Sequence, residues 1–305
     1  MSKPLKRIAV IGTGILGTQI AMLSSNAGCE VRAYDERPQA FDEAYDRISA
    51  DLKQRNIAPL IPWQSWGACM ERVQRVTCLD VAVQDAELIM EAVPENVELK
   101  NKVFKELGRK APPEAILATN SSSIPVSRME ASSGRPERCL NIHFYFPVEG
   151  VNIVDIMGGT MTLSEVVEKG AAWIRSIGCI PLRVKKEIPG FCFNRVWRSI
   201  KREALYLWAN EFVDFRDIDR AWMVFTKMTE GPFALMDKVG LDVVYNIETT
   251  YYRDSNDPRD RPPNALLEMV RRGELGVKSG KGFYTYPAPE YLRPDFLDQS
   301  VSPIH

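Results

Sequence analysis

Short apolar runs alternate with longer amphipathic stretches over the first 188 residues, and the alternation predicts strands and helices in turn. Arg7 to Ile11 is a β-branched run that stops at glycine, as suits a buried parallel strand. Residues 15 to 27 (ILGTQIAMLSSNA) carry helical spacing, and Gly28 ends that helix. Glu30 to Tyr34 reads as a second strand delivering Asp35 at its end, which completes a βαβ unit of about 30 residues. A polar stretch at 38 to 56 is helical in composition, while the Pro- and Trp-containing stretch from 57 to 70 reads only as a loop or helix break. Further strands are predicted at Arg75–Thr77, Leu88–Glu91, Ile116–Ala118, Cys139–His143 and Val151–Ile156, with helices near 96–109 and 164–177 between them. Such alternation implies an α/β fold, with helices on both faces of a parallel sheet.

The pattern changes after Ile188. Pro189-Gly190 punctuates the chain, and long helical segments follow near 191–210, 217–228, 232–237 and 240–251, with a loop at 255–264. The boundary therefore falls between a domain of residues 1–188 and an all-α domain of residues 189–305. The tail after Pro287 reads as poorly ordered.

Composition narrows the function classes. The 305 residues are 45% hydrophobic and 26% charged with a formal net charge of −1, which gives no electrostatic case for nucleic acid or an anionic membrane. No apolar run approaches the roughly 20 residues of a membrane span. The basic lead and apolar run of MSKPLKRIAVIG mimic a signal peptide, but glycines break the run early and no small-residue cleavage site follows. Six scattered cysteines without a C-x-x-C pair read as reduced and mostly buried, which favours a cytoplasmic setting. With only two histidines, one of them the terminal His305, no metal site is expected.

Gly12-x-Gly14-x-x-Gly17 lies between the first strand and the first helix, where the amides of Ile15 and Leu16 open the helix. The first glycine suits a tight turn, the second a close approach of backbone to pyrophosphate, and the third close helix–strand packing. A helix N-terminus there offers unpaired N–H groups to phosphate. Asp35, 18 residues past Gly17, ends the next strand where a carboxylate can bond an adenosine ribose. The first domain therefore reads as a Rossmann-type doubly wound sheet that binds a dinucleotide. The carboxylate favours NAD over NADP, although Arg37 stands close by.

Oxidising an alcohol requires a base within reach of the hydroxyl as hydride leaves. His143 is the one candidate histidine besides the terminal residue, and it ends the apolar segment LNIHF on the predicted ligand-binding edge of the sheet. Asp155, 12 residues on in VNIVDIM, is a candidate to hold the imidazole. On the residues alone, His143 would more often be a packed structural histidine.

The order of motifs resembles the 3-hydroxyacyl-CoA dehydrogenases. Val93-Pro94-Glu95-Asn96 is similar to the family's V-x-E-N, Asn120-Ser121-Ser122-Ser123-Ile124 to N-T-S-S-L, and His143-Phe144-Tyr145-Phe146-Pro147 to H-F-F-N-P. PGFCFNR at 189–195 resembles P-G-F-x-x-N-R, EGPFALMDKVGLD at 230–242 resembles M-G-P-F-E-L-L-D-x-x-G-L-D, and KSGKGFY at 278–284 resembles K-x-G-x-G-F-Y. The likeness spans residues 6 to 286. It implies an acyl-CoA substrate and a homodimer formed through the helical domain. It also implies that His143 is the base, that Ser122 and Asn194 contact the reacting region, and that Glu95, Lys100 and Asn120 lie around the cofactor. Each has a plainer reading: Ser122 could cap a turn, Asn194 could serve its helix backbone, and Lys100 could be a solvated helix charge.

Two positions depart from the resemblance. Asp155 stands where the family has glutamate, one methylene longer, and Phe146 stands where it has asparagine. Met157-Gly158-Gly159 adds a glycine pair just beyond. These changes point to a different acyl group, branched, cyclic or aromatic, with Trp63, Trp66 or Trp197 as candidate walls. Lys53, Arg55, Arg72 and Arg75 could hold the phosphates of CoA, or could be ordinary surface charge. Dehydrogenases of hydroxy acids without CoA, and a catalytically reduced NAD-binding protein, remain as alternatives.

Overall fold

A computed structural model describes residues 5–54, 59–145, 148 and 151–297. The chain divides into two compact units, Met1–Cys192 and Phe193–His305.

In the first unit the elements run β1 (Arg7–Ile11), α1 (Ile15–Asn26), β2 (Glu30–Tyr34), α2 (Ala40–Gln54), α3 (Trp63–Arg72), β3 (Gln74–Val76), α4 (Leu79–Val83), β4 (Leu88–Glu91), α5 (Val97–Lys110), β5 (Ile116–Thr119), β6 (Cys139–Phe144), β7 (Ile153–Gly158), α6 (Ser164–Ser176) and β8 (Ile180–Val184). The strands form one sheet in the order β3-β2-β1-β4-β5-β6-β7-β8. Period-two alternation sorts their side chains onto two buried faces. Ile8, Val10, Leu88, Met90, Ile116 and Ala118 pack with α1, α2, α3 and α6, while Ala9, Ile11, Ile89 and Leu117 pack with α4 and α5. The doubly wound reading is therefore correct.

The wholly parallel sheet is not. β6 pairs antiparallel with β7, because the eight residues between Phe144 and Ile153 are too few for a crossover connection. β8 then pairs parallel with β7 at the sheet edge, where Pro181 is tolerated; its mixed polarity hid it from the sequence pattern. The stretch read as a loop or helix break contains α3: Pro62 precedes the helix rather than interrupting it, and Trp66 and Cys69 form its buried face.

The second unit is helical: α7 (Phe193–Ala209), α8 (Phe215–Thr226), α9 (Pro232–Val239), α10 (Leu241–Ser255) and α11 (Asn264–Arg271). The last of these escaped the sequence reading because it is short and follows two prolines. Two fully buried aspartates organise this unit. Asp219 accepts hydrogen bonds from the N–H groups of Phe233 (2.8 Å) and Ala234 (3.0 Å) at the start of α9, and from the Tyr284 hydroxyl (3.0 Å). Asp237 accepts from the N–H groups of Phe283 (3.0 Å) and Tyr284 (2.9 Å). Any side chain at Gly231 or Gly282 would collide with these carboxylates, at 2.3 Å from the Asp219 carboxyl carbon and 2.1 Å from Asp237 Oδ1. The GPF and GKGFY motifs are thus explained as scaffold. Within the described part of the tail, residues 288–297, the structure departs from expectation: turns at Glu290–Leu292 and Pro294–Phe296 bury Tyr291 and Phe296 against the aromatic core, so apolar packing orders a segment that contains prolines. No helix of the described residues is long and apolar enough to cross a membrane.

Replacing Asp219 with alanine would strand two buried N–H groups and a buried hydroxyl. At about 1–3 kcal/mol for each orphan, a loss of roughly 3–9 kcal/mol is expected in urea unfolding of the second unit. A change under about 1 kcal/mol would show that the carboxylate does not organise α9.

Candidate active site

Six adjacent strands, β3-β2-β1-β4-β5-β6, run in the same direction, so their C-terminal ends share one edge of the sheet. Chain order reverses between β1 and β4, which opens a crevice of the kind where ligands of open α/β sheets bind.

Gly12 follows β1 with φ +93°, and a Cβ there would lie 2.7 Å from the backbone of Ala92 beyond β4. A Cβ on Gly17 would sit 2.0 Å from the Gly12 carbonyl oxygen, so only glycine lets α1 come this close to the turn. Gly14 differs: it is exposed, and nothing lies within 4 Å of its absent Cβ. No side chain caps the helix it begins, which leaves first-turn amides, those of Ile15 and Leu16 among them, to face an anion, while the Ile15 and Leu16 side chains pack on the core. Asp35 Oδ2 accepts from the Thr13 N–H at 2.7 Å and Oδ1 from the Arg37 N–H at 2.9 Å, which fixes the carboxylate beside the glycine turn. Arg37 turns its guanidinium to Glu43 at 3.1 Å. The turn, the uncapped helix and the half-exposed carboxylate fit a dinucleotide with a free ribose hydroxyl.

A buried charge network underlies the next loop. Lys100 is 1% exposed and donates to Glu91 Oε1 at 2.7 Å and to the Val93 carbonyl at 3.2 Å, with Glu95 Oε2 at 3.4 Å. It is not a solvated helix charge: α5, capped by Asn96, turns Lys100 inward onto the end of β4. Glu91 itself escaped the sequence reading, because a carboxylate ending an apolar strand gives no periodic signal. Burial pushes its carboxyl up, opposed by Lys100, the Thr119 hydroxyl and the Val93 N–H. Glu95 is held below the usual carboxylate range: burial works against its charge, but the Ser121 hydroxyl (2.6 Å), the Ser123 N–H (2.9 Å) and hydroxyl (2.8 Å), and Lys100 outweigh it. Ser121 also caps the turn through the Ile124 N–H. Ser122, between these two, is exposed and makes no hydrogen bond among the described residues, so it is not the turn's cap. Asn120 Oδ1 accepts from the Phe144 N–H at 2.9 Å and ties β5 to β6.

His143 lies near the end of β6, 4% exposed, directly opposite Asp155 of β7. Its Nδ1 is 3.4 Å from Asp155 Oδ2. Phe191 stacks on the imidazole face with ring centres 4.8 Å apart and planes within 1°, and Tyr145 meets the ring edge-on at 4.7 Å. With Nδ1 turned to the carboxylate, Nε2 is the nitrogen left without a hydrogen bond among the described residues. Phe191 was not singled out from the sequence. It holds φ +53° after Gly190 at φ +80°, a turn that places its ring against the histidine. The Tyr145 hydroxyl donates to Asp155 Oδ2, a contact equally invisible in the linear pattern.

Other candidates fare differently. Trp66 is a core residue, 4% exposed and bonded to Ser49, so it walls no site. Trp63 packs beside it, 40% exposed, with Lys53 over its ring. Arg72 points to the Ser25 carbonyl and Cys69, and Arg75 to Asp42. Trp197 packs on the aromatic core of the second unit. Asn194 stands in the first turn of α7, half-buried, with no bond to its helix backbone among the described residues. Three of the six cysteines are buried, while Cys78 and Cys192 are exposed. Arg55, Phe146 and His305 lie outside the described residues.

Comparison with known proteins agrees with this fold. Residues 7–188 match the family model for the 3-hydroxyacyl-CoA dehydrogenase NAD binding domain, and residues 190–286 match the model for the C-terminal domain of the same enzymes. The chain is 30% identical over 287 residues to a 3-hydroxybutyryl-CoA dehydrogenase of Mycobacterium tuberculosis, covering 94% of this chain and all of the relative. It is 31% identical over 293 residues to the 5-formyl-3-hydroxy-2-methylpyridine 4-carboxylate 5-dehydrogenase of Mesorhizobium japonicum, covering 95% and 93%. A solved diketoreductase superposes with a TM-score of 0.84 at 32% identity, covering 93% of this chain and all of the other. A glycine turn fitted to a dinucleotide, a buried histidine on the same sheet edge and these matches lead to one assignment: the chain belongs to the 3-hydroxyacyl-CoA dehydrogenase family and uses NAD.

Proposed function

We propose that the protein transfers hydride between NAD and the 3-hydroxyl carbon of a 3-hydroxyacyl-CoA, with His143 as the proton acceptor in the oxidative direction. The observation that carries this reading is the free Nε2 of a buried imidazole whose Nδ1 faces Asp155. A neutral imidazole with its proton on Nδ1 presents a lone pair at Nε2 to the substrate hydroxyl. As that proton arrives, Asp155 stabilises the imidazolium, and the Phe191 and Tyr145 rings prevent the imidazole from turning away. Bound NAD supplies the hydride acceptor. Ser122, whose hydroxyl has no internal partner among the described residues, and Asn194 are the proposed contacts to the reacting oxygens.

On the cofactor side, Gly12, Gly14, Gly17, Ile15 and Leu16 are assigned to the pyrophosphate and Asp35 to the ribose. Glu95 and Asn120 are assigned to the nicotinamide half, with Lys100 acting from beneath through Glu95 and Glu91. The substrate is proposed to carry a branched, cyclic or aromatic acyl group. A substrate without CoA is the second reading: Arg72 and Arg75 are already engaged within the first unit, and the Mesorhizobium relative is named for a substrate without CoA. We place the enzyme in the cytoplasm as a homodimer joined through the helical unit, where Phe225 is 90% and Phe212 63% exposed.

An NADH-absorbance assay over linear, branched and aromatic 3-hydroxyacyl-CoAs, with free hydroxy acids alongside, is expected to show turnover of a thioester. His143→Ala should lower kcat by at least a hundredfold, the scale of a general base, with NAD affinity unchanged. Turnover of free acids alone would select the second reading, and equal preference for 3-hydroxybutyryl-CoA would refute the bulkier acyl group. Lys100→Met leaves buried Glu91 without its cation and should cost about 3–5 kcal/mol in unfolding while weakening NAD binding. Undiminished NAD affinity would detach the network from the cofactor. Light scattering should give twice the 34.5 kDa chain mass, and a monomer at micromolar concentration would refute the dimer.

A further inference from the structure

Asp155 is fully buried, and its two carboxylate oxygens are used unequally. Oδ2 faces both the Tyr145 hydroxyl and His143 Nδ1, while Oδ1 has no partner among the described residues. Tyr145 is itself 9% exposed and lies two residues beyond the histidine, so both side chains leave the same face of the strand end. A buried carboxylate held by the histidine alone, across 3.4 Å, would be poorly fixed. The tyrosine hydroxyl supplies a second bond to the same oxygen.

We propose that Tyr145 is a positioning residue that makes a short aspartate competent as the histidine's partner. Two differences from the resemblance then belong together: Asp155 in place of glutamate and, within H-F-F-N-P, Tyr145 in place of the second phenylalanine. Aspartate withdraws the carboxylate by one methylene from where a glutamate would carry it, and tyrosine extends a phenylalanine by one oxygen into that neighbourhood. The hydroxyl takes one lone-pair direction of Oδ2, so that another serves Nδ1. It also takes up part of the carboxylate's charge, which tempers how strongly Asp155 draws on the imidazolium. Tyr145 keeps its proton throughout and acts only through Asp155. The inference rests on His143 being the base, and it deepens that reading by naming what holds the base's partner.

The test is a double-mutant cycle on the full-length protein with Tyr145→Phe, Asp155→Glu and the two combined. Tyr145→Phe should lower kcat about tenfold to a hundredfold, the cost of misplacing a catalytic group by about 1 Å, with the thermal midpoint and the KM for NAD close to wild type. Asp155→Glu alone drives the longer carboxylate into the tyrosine hydroxyl and should lose at least as much. The combined variant should return to within about threefold of wild type, because phenylalanine makes room for glutamate. Losses in kcat that simply multiply, or a Tyr145→Phe enzyme with undiminished kcat, would overturn the proposal. So would a coupling that shows only in the thermal midpoint, since that is the mark of packing.

A second readout needs no substrate. The chain has two histidines, so a His305→Ala background leaves His143 as the sole imidazole in a nitrogen-15 NMR spectrum. The Nδ1-protonated tautomer should be present in that background and should weaken or broaden with Tyr145→Phe, then recover in the combined variant. If no thioester or hydroxy acid is turned over while this pattern holds, the functional reading fails and the Tyr145–Asp155–His143 arrangement stands. If turnover is robust and the imidazole signal ignores residue 145, the arrangement fails and the functional reading stands.

Discussion

The pairing of His143 with Asp155 across the one antiparallel junction in the sheet is the constraint on which the site depends. A parallel neighbour would have to return through a crossover. The short connection between β6 and β7 instead sets histidine and aspartate directly opposite each other. Antiparallel register puts both side chains on one face. Phe191 then closes over the imidazole from a left-handed turn, and Tyr145 meets the ring edge-on while its hydroxyl bonds the aspartate. Each contact removes a degree of freedom from the imidazole ring.

The cofactor side is built on a different economy. Where the histidine is held by rings and a cross-strand bond, the dinucleotide turn is defined by missing side chains and the loop after β4 by buried charge. Gly12 and Gly17 allow backbone to approach backbone, and Gly14 leaves open space above the helix end. Beneath that loop, Lys100 neutralises Glu91 and reaches Glu95, while Ser121 and Ser123 grip the same Glu95 carboxylate from the next strand. Residues around the crevice are thereby fixed by interactions made before any ligand arrives, the preorganisation that a hydride-transfer site requires.

The helical unit repeats the principle with a structural purpose. Asp219 and Asp237 each collect successive backbone N–H groups in an aromatic interior, and neighbouring glycines make room for them. Burial pushes the Asp219 carboxyl up to about 6 despite its donors. The proton-linked part of its contribution to stability is therefore fully present below the ordinary carboxylate range and lost as pH rises through about 6, while its bonds from the Phe233 and Ala234 N–H groups remain. GPFALMD and GKGFY, which carry part of the family resemblance, are thus the means of folding this unit.

Local rules were enough to read β1, α1, β2 and the Gly12–Gly14–Gly17 turn, because a buried parallel strand, a helix with a glycine stop and a phosphate-binding turn each carry their signal within a few residues. His143 and Asp155 were legible for a similar reason: few histidines compete, and both residues sit in strand-like runs. What the sequence could not settle were contacts made by distant chain segments. Nothing local marks Lys100 as buried, since its inward face is defined only once α5 packs on the end of β4. Trp66 looked like a ligand wall until α3 formed and turned it into the core. The reversal of β7, the edge strand β8 and the grip of Tyr145 on Asp155 are likewise decided by connection length, sheet edge and cross-strand geometry. Sequence determined which chemistry was present, and tertiary packing decided which charges were buried, which oxygen was shared and which nitrogen was left free.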